Sequence, residues 1–255
     1  MSSNTDIGFI SMPGARALAY MDVFSELNKF PSCILKLSNP HLNKSLTTLK
    51  GISQSYISMK NDEETLSKHA SIPLYSINAS DINDDIVLAL IRETGIKTWI
   101  FSGGGIVKPH FFKAGIRFLH IHPGQLPEVR GSTCFYYSLL CDNTLAATAF
   151  FLTEEIDAGE PIFCQHFHIN LPNEILNATY MDYVIDPWVR AQTLKRVWQS
   201  WPNISDIKKT SSKHKSIAPS PRACYVMHPL LRMMTINKVT NRFDPLSPKG
   251  LFINE

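Results

Sequence analysis

Short apolar runs alternate with longer stretches of helical period over the first two thirds of the chain, and this alternation predicts the fold. Ile7 to Ile10 reads as a buried strand, Ser11-Met12-Pro13-Gly14 as a turn and Ala15 to Leu27 as a helix. Cys33 to Leu37 gives a second strand, with Tyr56 on a short extended piece and Glu63 to His69 as a short polar helix. Leu74 to Ile77 follows as an extended segment, and Asp81 as the N-cap of a helix running through Thr94. Thr98 to Phe101 is the next buried strand, and Lys108 to Ala114 a short helix with Pro109 in its first turn. Ile116 to Ile121 returns as a strand, Ser132 to Leu140 has helical spacing, and Ala146 to Leu152 and Pro161 to Ile169 read as further strands. Strands separated by helices predict an α/β domain: an open, mostly parallel sheet of Rossmann type with helices on both faces. Ligands of such sheets sit at the carboxyl ends of the strands.

The pattern weakens after residue 170. Tyr180 to Trp201, broken at Pro187, reads as one or two amphipathic helices with Trp188, Val189, Leu194, Val197, Trp198 and Trp201 on apolar positions, which simple packing explains. The segment 203–222 is rich in Ser, Lys and Pro and reads as a basic linker, while Cys224 to Ile236 resumes an apolar pattern. The expected organisation is a main domain over 1–202, the linker over 203–222, and a short C-terminal extension over 223–255 that packs back on the domain.

Composition narrows the classes. The chain has 255 residues, 44% hydrophobic and 18% charged, enough to bury a full core. A formal charge of only +3 gives no broad basic face for nucleic acid. The five cysteines, Cys33, Cys134, Cys141, Cys164 and Cys224, are scattered without CxxC spacing, which argues against a disulfide framework or a structural zinc site and fits reduced thiols in a cytoplasm. No secretory leader pattern and no apolar run of membrane-spanning length is present, so neither export nor a membrane partner is expected.

Candidate chemistry is concentrated between Phe101 and Phe163. Ser102-Gly103-Gly104-Gly105 follows a strand end, where glycines let backbone approach a ligand closely; the run lacks the spacing of a dinucleotide fingerprint or a phosphate loop, and a plain tight turn explains it equally well. The strand ending His120-Ile-His122-Pro123 delivers two imidazoles, and alternation puts both on one face. Imidazole moves protons in either direction near neutral pH, and a carboxylate such as Asp157, in the Asp157-Ala158-Gly159 turn, can orient it. A single histidine is more often a satisfied polar residue than a catalyst, but here the acid, the second imidazole and the Leu126 to Gly131 loop accompany it.

These pieces together, Gly105-Ile106-Val107, then His122-Pro123-Gly124-Gln125-Leu126-Pro127-Glu128-Val129-Arg130-Gly131, then Asp157-Ala158-Gly159-Glu160-Pro161-Ile162, resemble the folate-dependent formyltransferases. That family includes the glycinamide ribonucleotide, methionyl-tRNA and amino-sugar enzymes. The resemblance covers about residues 75 to 170 and, loosely, the first strand and helix. It implies 10-formyltetrahydrofolate as a consumed donor, His122 as the proton-transfer residue and Asp157 as its partner carboxylate. It further implies that Gly104, Gly105, Ile106 and Val107, with the backbone of Thr153, Glu154, Glu155 and Ile156, line the pterin pocket. Gly124, Gln125, Arg130 and Gly131 would face the acceptor.

The chain departs from the family at His120, where the usual residue is an Asn that donates to the formyl oxygen. A histidine can donate an N–H from either tautomer, so His120 is expected to replace that amide. Gly124 and Gln125 stand where the family has Ser and Leu, which would reshape the acceptor pocket. The methionyl-tRNA enzymes carry a long basic C-terminal domain, and this tail is short, which counts against tRNA. The expected acceptor is an amine of a small molecule, an amino-sugar nucleotide by exclusion, with a homodimer allowed. Three alternatives stay open: a formyltetrahydrofolate hydrolase, a member with altered or lost chemistry that keeps the folate pocket, and a metal enzyme using His120, His122, Asp157, His166 and His168 as ligands. The last lacks an evident third and fourth converging ligand, and no metal is assigned.

Overall fold

The computed structural model of the chain describes residues 6–51, 56–207 and 224–254. Eight strands form one sheet: β1 (Ile7–Ser11), β2 (Ile34–Lys36), β3 (Leu74–Ser76), β4 (Thr98–Phe101), β5 (Arg117–His122), β6 (Leu145–Phe151), β7 (Pro161–Asn170) and β8 (Gly250–Ile253). Their spatial order is β3-β2-β1-β4-β5-β6-β7-β8. The first five are parallel, and β6, β7 and β8 add antiparallel to that edge. The helices are α1 (Ala15–Glu26), α2 (Leu42–Lys50), α3 (Glu63–Ala70), α4 (Asp85–Thr94), α5 (Pro109–Lys113), α6 (Cys134–Asp142), α7 (Ala178–Tyr180), α8 (Asp186–Ser200) and α9 (Pro229–Thr240). The mostly parallel α/β architecture is the expected one.

Strand alternation builds two cores. Ile7 and Phe9 of β1, Ile100 of β4, and Leu119 and Ile121 of β5 pack with α1, α6 and α8 on one face. Ile10, Trp99, Phe101 and Phe118 pack with Val87 and Ile91 of α4 and Phe111 of α5 on the other. All five residues of β1 are buried, as a central strand covered on both faces requires, and this is why it reads as a continuous apolar run. After β1 the chain builds β2 and β3 on one side, then crosses to β4 and β5 on the other. The carboxyl ends of β1 and β4 therefore border a crevice where the winding reverses, the usual ligand position in such sheets.

Three local expectations need correction. Asp81 accepts a hydrogen bond from Asn83 N–H at 2.9 Å inside a turn, and Asp84 caps α4 through Ile86 N–H at 3.1 Å. Tyr56 lies outside every strand, its hydroxyl accepting from Leu251 N–H at 3.3 Å. Pro187 does not break the helix: a π-helical segment at Met181–Ile185 joins α7 to α8, and Pro187 sits in the first turn of α8, where a missing N–H is tolerated. The strand at Gly250–Ile253 is additional. It completes the sheet by pairing with β7, although its short segment gives little periodicity to read. Most of the linker expected over 203–222 lies outside the described residues.

Candidate active site

β5 carries Phe118, His120 and His122 on one face and ends at His122, which is 2% exposed. The next loop is fixed to β6 by Thr148: its hydroxyl donates to Gly124 O at 2.6 Å and accepts from Leu126 N–H at 3.2 Å. Val129 N–H closes the loop on Gln125 O at 2.8 Å. The Val129 carbonyl then lies 2.8 Å from Nε2 of His122. A carbonyl only accepts, so Nε2 carries the hydrogen and Nδ1 is the basic nitrogen of the neutral ring. Gly124 packs against this arrangement, since a Cβ there would come within 3.1 Å of both Nε2 and the Val129 oxygen.

Nδ1 of His122 faces Oδ2 of Asp157 at 3.5 Å. Because β6 runs against β5, with Phe151 opposite Leu119, the 152–160 loop must fold back across the sheet to reach His122. Two features hold that return. Gly159 lies against the chain it has just left, where a Cβ would come 2.0 Å from the Phe151 carbonyl oxygen. Asp157 adopts φ +50°, and its Oδ2 accepts Gly131 N–H at 2.8 Å, joining the two loops. Burial is the main reason His122 has its pKa pushed down to about 4; Asp157 acts in the opposite direction. The resting pair is a neutral imidazole beside a carboxylate, with room for one proton between them.

His120 differs. Its Nδ1 lies 3.3 Å from Phe101 O, so the hydrogen is on Nδ1 and Nε2 bears the lone pair. Burial, then the charges of Arg190 and Arg16, hold this imidazole well below the usual histidine range. In this tautomer the one hydrogen of a neutral His120 is taken by the backbone, so the ring presents a lone pair at Nε2 where an N–H was expected.

These side chains border a cavity of about 1300 Å³. Of the residues expected at the pterin, Gly104, Gly105, Ile106, Glu154, Glu155 and Ile156 form its wall, as do Arg130, Gly131, His120, His122 and Asp157. Val107 and Thr153 do not: Val107 is 4% exposed within the second core, and the Thr153 hydroxyl donates to Glu155 O at 3.0 Å. Gly124 and Gln125 also lie behind the wall, in the loop that supports His122.

Sequence reasoning missed a buried charge cluster under the imidazoles. Arg190 Nε donates to Asp186 Oδ1 at 2.9 Å, and its Nη1 donates to Ile121 O. Arg16 Nη2 lies 3.4 Å from Asp186 Oδ2, and its Nη1 donates to Gly103 O at 2.8 Å and Ser102 O at 3.2 Å. Although burial works to raise its pKa, Asp186 is held below the usual carboxylate range by Arg190 and Arg16. The available signal was an i,i+4 Asp-Arg pair on the mostly apolar stripe of a helix. The sequence also did not show that the C-terminal segment completes the wall. Cys224 N–H donates to Arg130 O at 2.6 Å, Ser132 N–H donates to Cys224 O at 2.9 Å, and Cys224, Tyr225, Val226 and Arg232 border the cavity.

His166 and His168 lie on β7, away from this cavity, and His168 stacks on Phe252 with ring centroids 6.5 Å apart. Among the described residues no three His, Cys, Asp or Glu side chains are grouped to hold a metal ion. No helix among them is long and apolar enough to cross a membrane.

No family model matches the chain, and no curated protein matches its sequence. Solved structures do match its fold. A formyltetrahydrofolate deformylase from Pseudomonas syringae aligns with a TM-score of 0.54 at 16% identity, covering 80% of this chain and 63% of that one. A sugar N-formyltransferase from a Shewanella species aligns with a TM-score of 0.50 at 14% identity, covering 91% of this chain and 87% of that one. The chain thus spans less than two thirds of the deformylase. The fold is that of the formyltransferases.

Proposed function

We propose that the protein transfers a formyl group from 10-formyltetrahydrofolate to an amine of a small molecule, with His122 and Asp157 moving the proton. The observation that carries this reading is the buried pair itself: a neutral imidazole whose basic Nδ1 faces a carboxylate at 3.5 Å, both on the wall of one cavity. An amine attacking a formyl carbon becomes an ammonium and must lose a proton before the intermediate collapses. Nδ1 is the site able to take it, and Asp157 stabilises the imidazolium that results. In a dry site this attraction exceeds its value in water.

The cavity suits the donor. Ile106 is 61% exposed and Ile156 44% exposed, and both border it, so the wall offers apolar side chains to a flat ring. Gly104 and Gly105 have open space where a Cβ would project, leaving their backbone approachable. The extension from residue 224 onward supports a role in shaping the acceptor end, because it is tied to the Arg130 to Thr133 loop. A small acceptor, a cytoplasmic setting and a C-terminal extension over 223–255 that packs on a main domain over 1–202 belong to this same reading.

The test is tetrahydrofolate release from 10-formyltetrahydrofolate with a panel of amines that includes amino-sugar nucleotides and glycinamide ribonucleotide. Amine-dependent release supports the reading. Equal release without any amine makes water the acceptor and the protein a hydrolase; folate binding with no release makes it a binding module.

A further inference from the structure

At the carboxyl end of β4 three consecutive carbonyls are taken by two side chains. Phe101 O receives Nδ1–H of His120 at 3.3 Å, while Ser102 O and Gly103 O receive Arg16 Nη1 at 3.2 and 2.8 Å. Arg16 and His120 therefore stand side by side at the strand end, both on the cavity wall. His120 presents a lone pair where formyl transfer needs a hydrogen-bond donor or a cation, because attack moves the carbonyl π pair onto oxygen.

Arg130 and Arg232, the other guanidinium groups at the cavity rim, each have a carboxylate of their own. Arg130 pairs with Glu155 at 3.1 Å and Arg232 with Asp182 at 3.4 Å. Arg190 is held by Asp186 and the Ile121 carbonyl, and its side chain is 7% exposed. Arg16 keeps 25% of its side chain exposed; its Nε is buried without an acceptor, its Nη1 is held by the Ser102 and Gly103 carbonyls, and its acidic partner among the described residues, Asp186, is shared with Arg190. Two guanidiniums against one carboxylate leave a net positive charge under the imidazoles.

We propose that Arg16 is a catalytic residue: its guanidinium stabilises the oxyanion formed from the formyl group, the role that residue 120 cannot fill as a neutral, Nδ1-protonated imidazole. This rests on the formyl-transfer reading above. In the step, the amine nitrogen forms a bond to the formyl carbon and the π pair moves to oxygen beside Arg16. The ammonium proton passes to Nδ1 of His122. Collapse re-forms the carbonyl and breaks the bond to the folate nitrogen, which receives that proton from His122. Nothing is oxidised or reduced. The same tautomer leaves Nε2 of His120 as an acceptor suited to an amine N–H.

The experiment compares kcat for the wild type, Arg16→Met, Arg16→Lys and the double variant Arg16→Met with His120→Asn, using the best amine of the panel. Loss of a single oxyanion donor costs about 100-fold or more, which is expected for Arg16→Met, with a smaller loss for Arg16→Lys. An Asn at 120 restores an amide donor, so the double variant should recover at least about tenfold relative to Arg16→Met. An Arg16→Met variant within about threefold of wild type overturns the inference, as does a folded double variant with no recovery. Should Arg16→Met not fold, nitrogen-15 spectra of the wild-type imidazoles decide: a bare Nε2 on His120 supports it, and Nε2–H overturns it. A wild type that releases no tetrahydrofolate with any amine or with water removes the formyl-transfer reading itself, which is a different result from an active wild type indifferent to Arg16.

Discussion

The chain contains two strand-spaced histidine pairs, His120-Ile-His122 on β5 and His166-Phe-His168 on β7, and their surroundings diverge completely. β5 joins the parallel half of the sheet to the antiparallel half, and its histidines sit at the strand's carboxyl end among the 102–105, 124–131 and 152–160 loops. β7 lies next to the edge strand β8, where His168 is exposed and stacks on Phe252 across the ladder. The first pair is desolvated and made electrostatically distinct by Asp157, Arg16 and Arg190. The lesson is that spacing put two imidazoles on one face in each strand, but the position of the strand end decided whether other charges converged on them.

Substituting His122 should break this comparison most sharply. His122→Gln is expected to lower kcat by about 100-fold to 10,000-fold, whereas His166→Gln or His168→Gln should leave tetrahydrofolate release within about twofold. Equal losses from both pairs would contradict the site. Asp157→Asn tests the charge with the shape retained: Asn tolerates the positive φ of this position, and its side-chain oxygen can still accept Gly131 N–H. A fall of about 100-fold in kcat with an unchanged melting profile is expected.

Gly124→Ala should have an intermediate effect. The added Cβ meets Nε2 of His122 and the Val129 carbonyl at 3.1 Å, so the loop or the ring must shift, at a cost of about 1–3 kcal/mol in denaturant unfolding. Activity should fall more than stability alone accounts for, because the displaced group is the base.

The smallest effect is in the pH dependence of stability. Both His120 and His122 have folded pKa values below the unfolded value of 6.5, so the unfolded chain binds more protons as pH falls. Stability from this source is full well above pH 6.5 and is lost as pH falls; for His122, with a folded pKa of about 4, the loss is about 2 kcal/mol at pH 5, and His120 acts in the same direction. Replacing His122 with Gln should flatten part of that slope in urea titrations at pH 7 and pH 5; a slope unchanged by the substitution would show that the ring is not buried neutral.

Much of the frame was legible because strand and helix periods are local. β1, β4 and α4 follow from apolar runs and from the composition between them; the misses are which Asp caps α4, how the chain passes Pro187, the place of Tyr56, and the short elements α2 and β8. The pairing of His122 with Asp157 was legible only as a pair of motifs, since the return of the 152–160 loop depends on Gly159 lying against Phe151 and on Gly131 N–H. Val107 and Gly124 belong to motif segments yet face the core and the supporting loop, because a motif fixes residue order but not which side chain borders the cavity.

By itself, then, the sequence determined most of the elements, the mostly parallel sheet and the candidate imidazole and acid, all consequences of patterns a few residues long. Only the tertiary structure decided the state of those groups. Which nitrogen of His120 and His122 holds the hydrogen is set by the Phe101 and Val129 carbonyls, and the charges around them come from Arg16, Asp186 and Arg190, brought in from α1 and α8. Hydrogen bonding and burial act through space, so groups that are distant along the chain control one another's chemistry only after the sheet has gathered them.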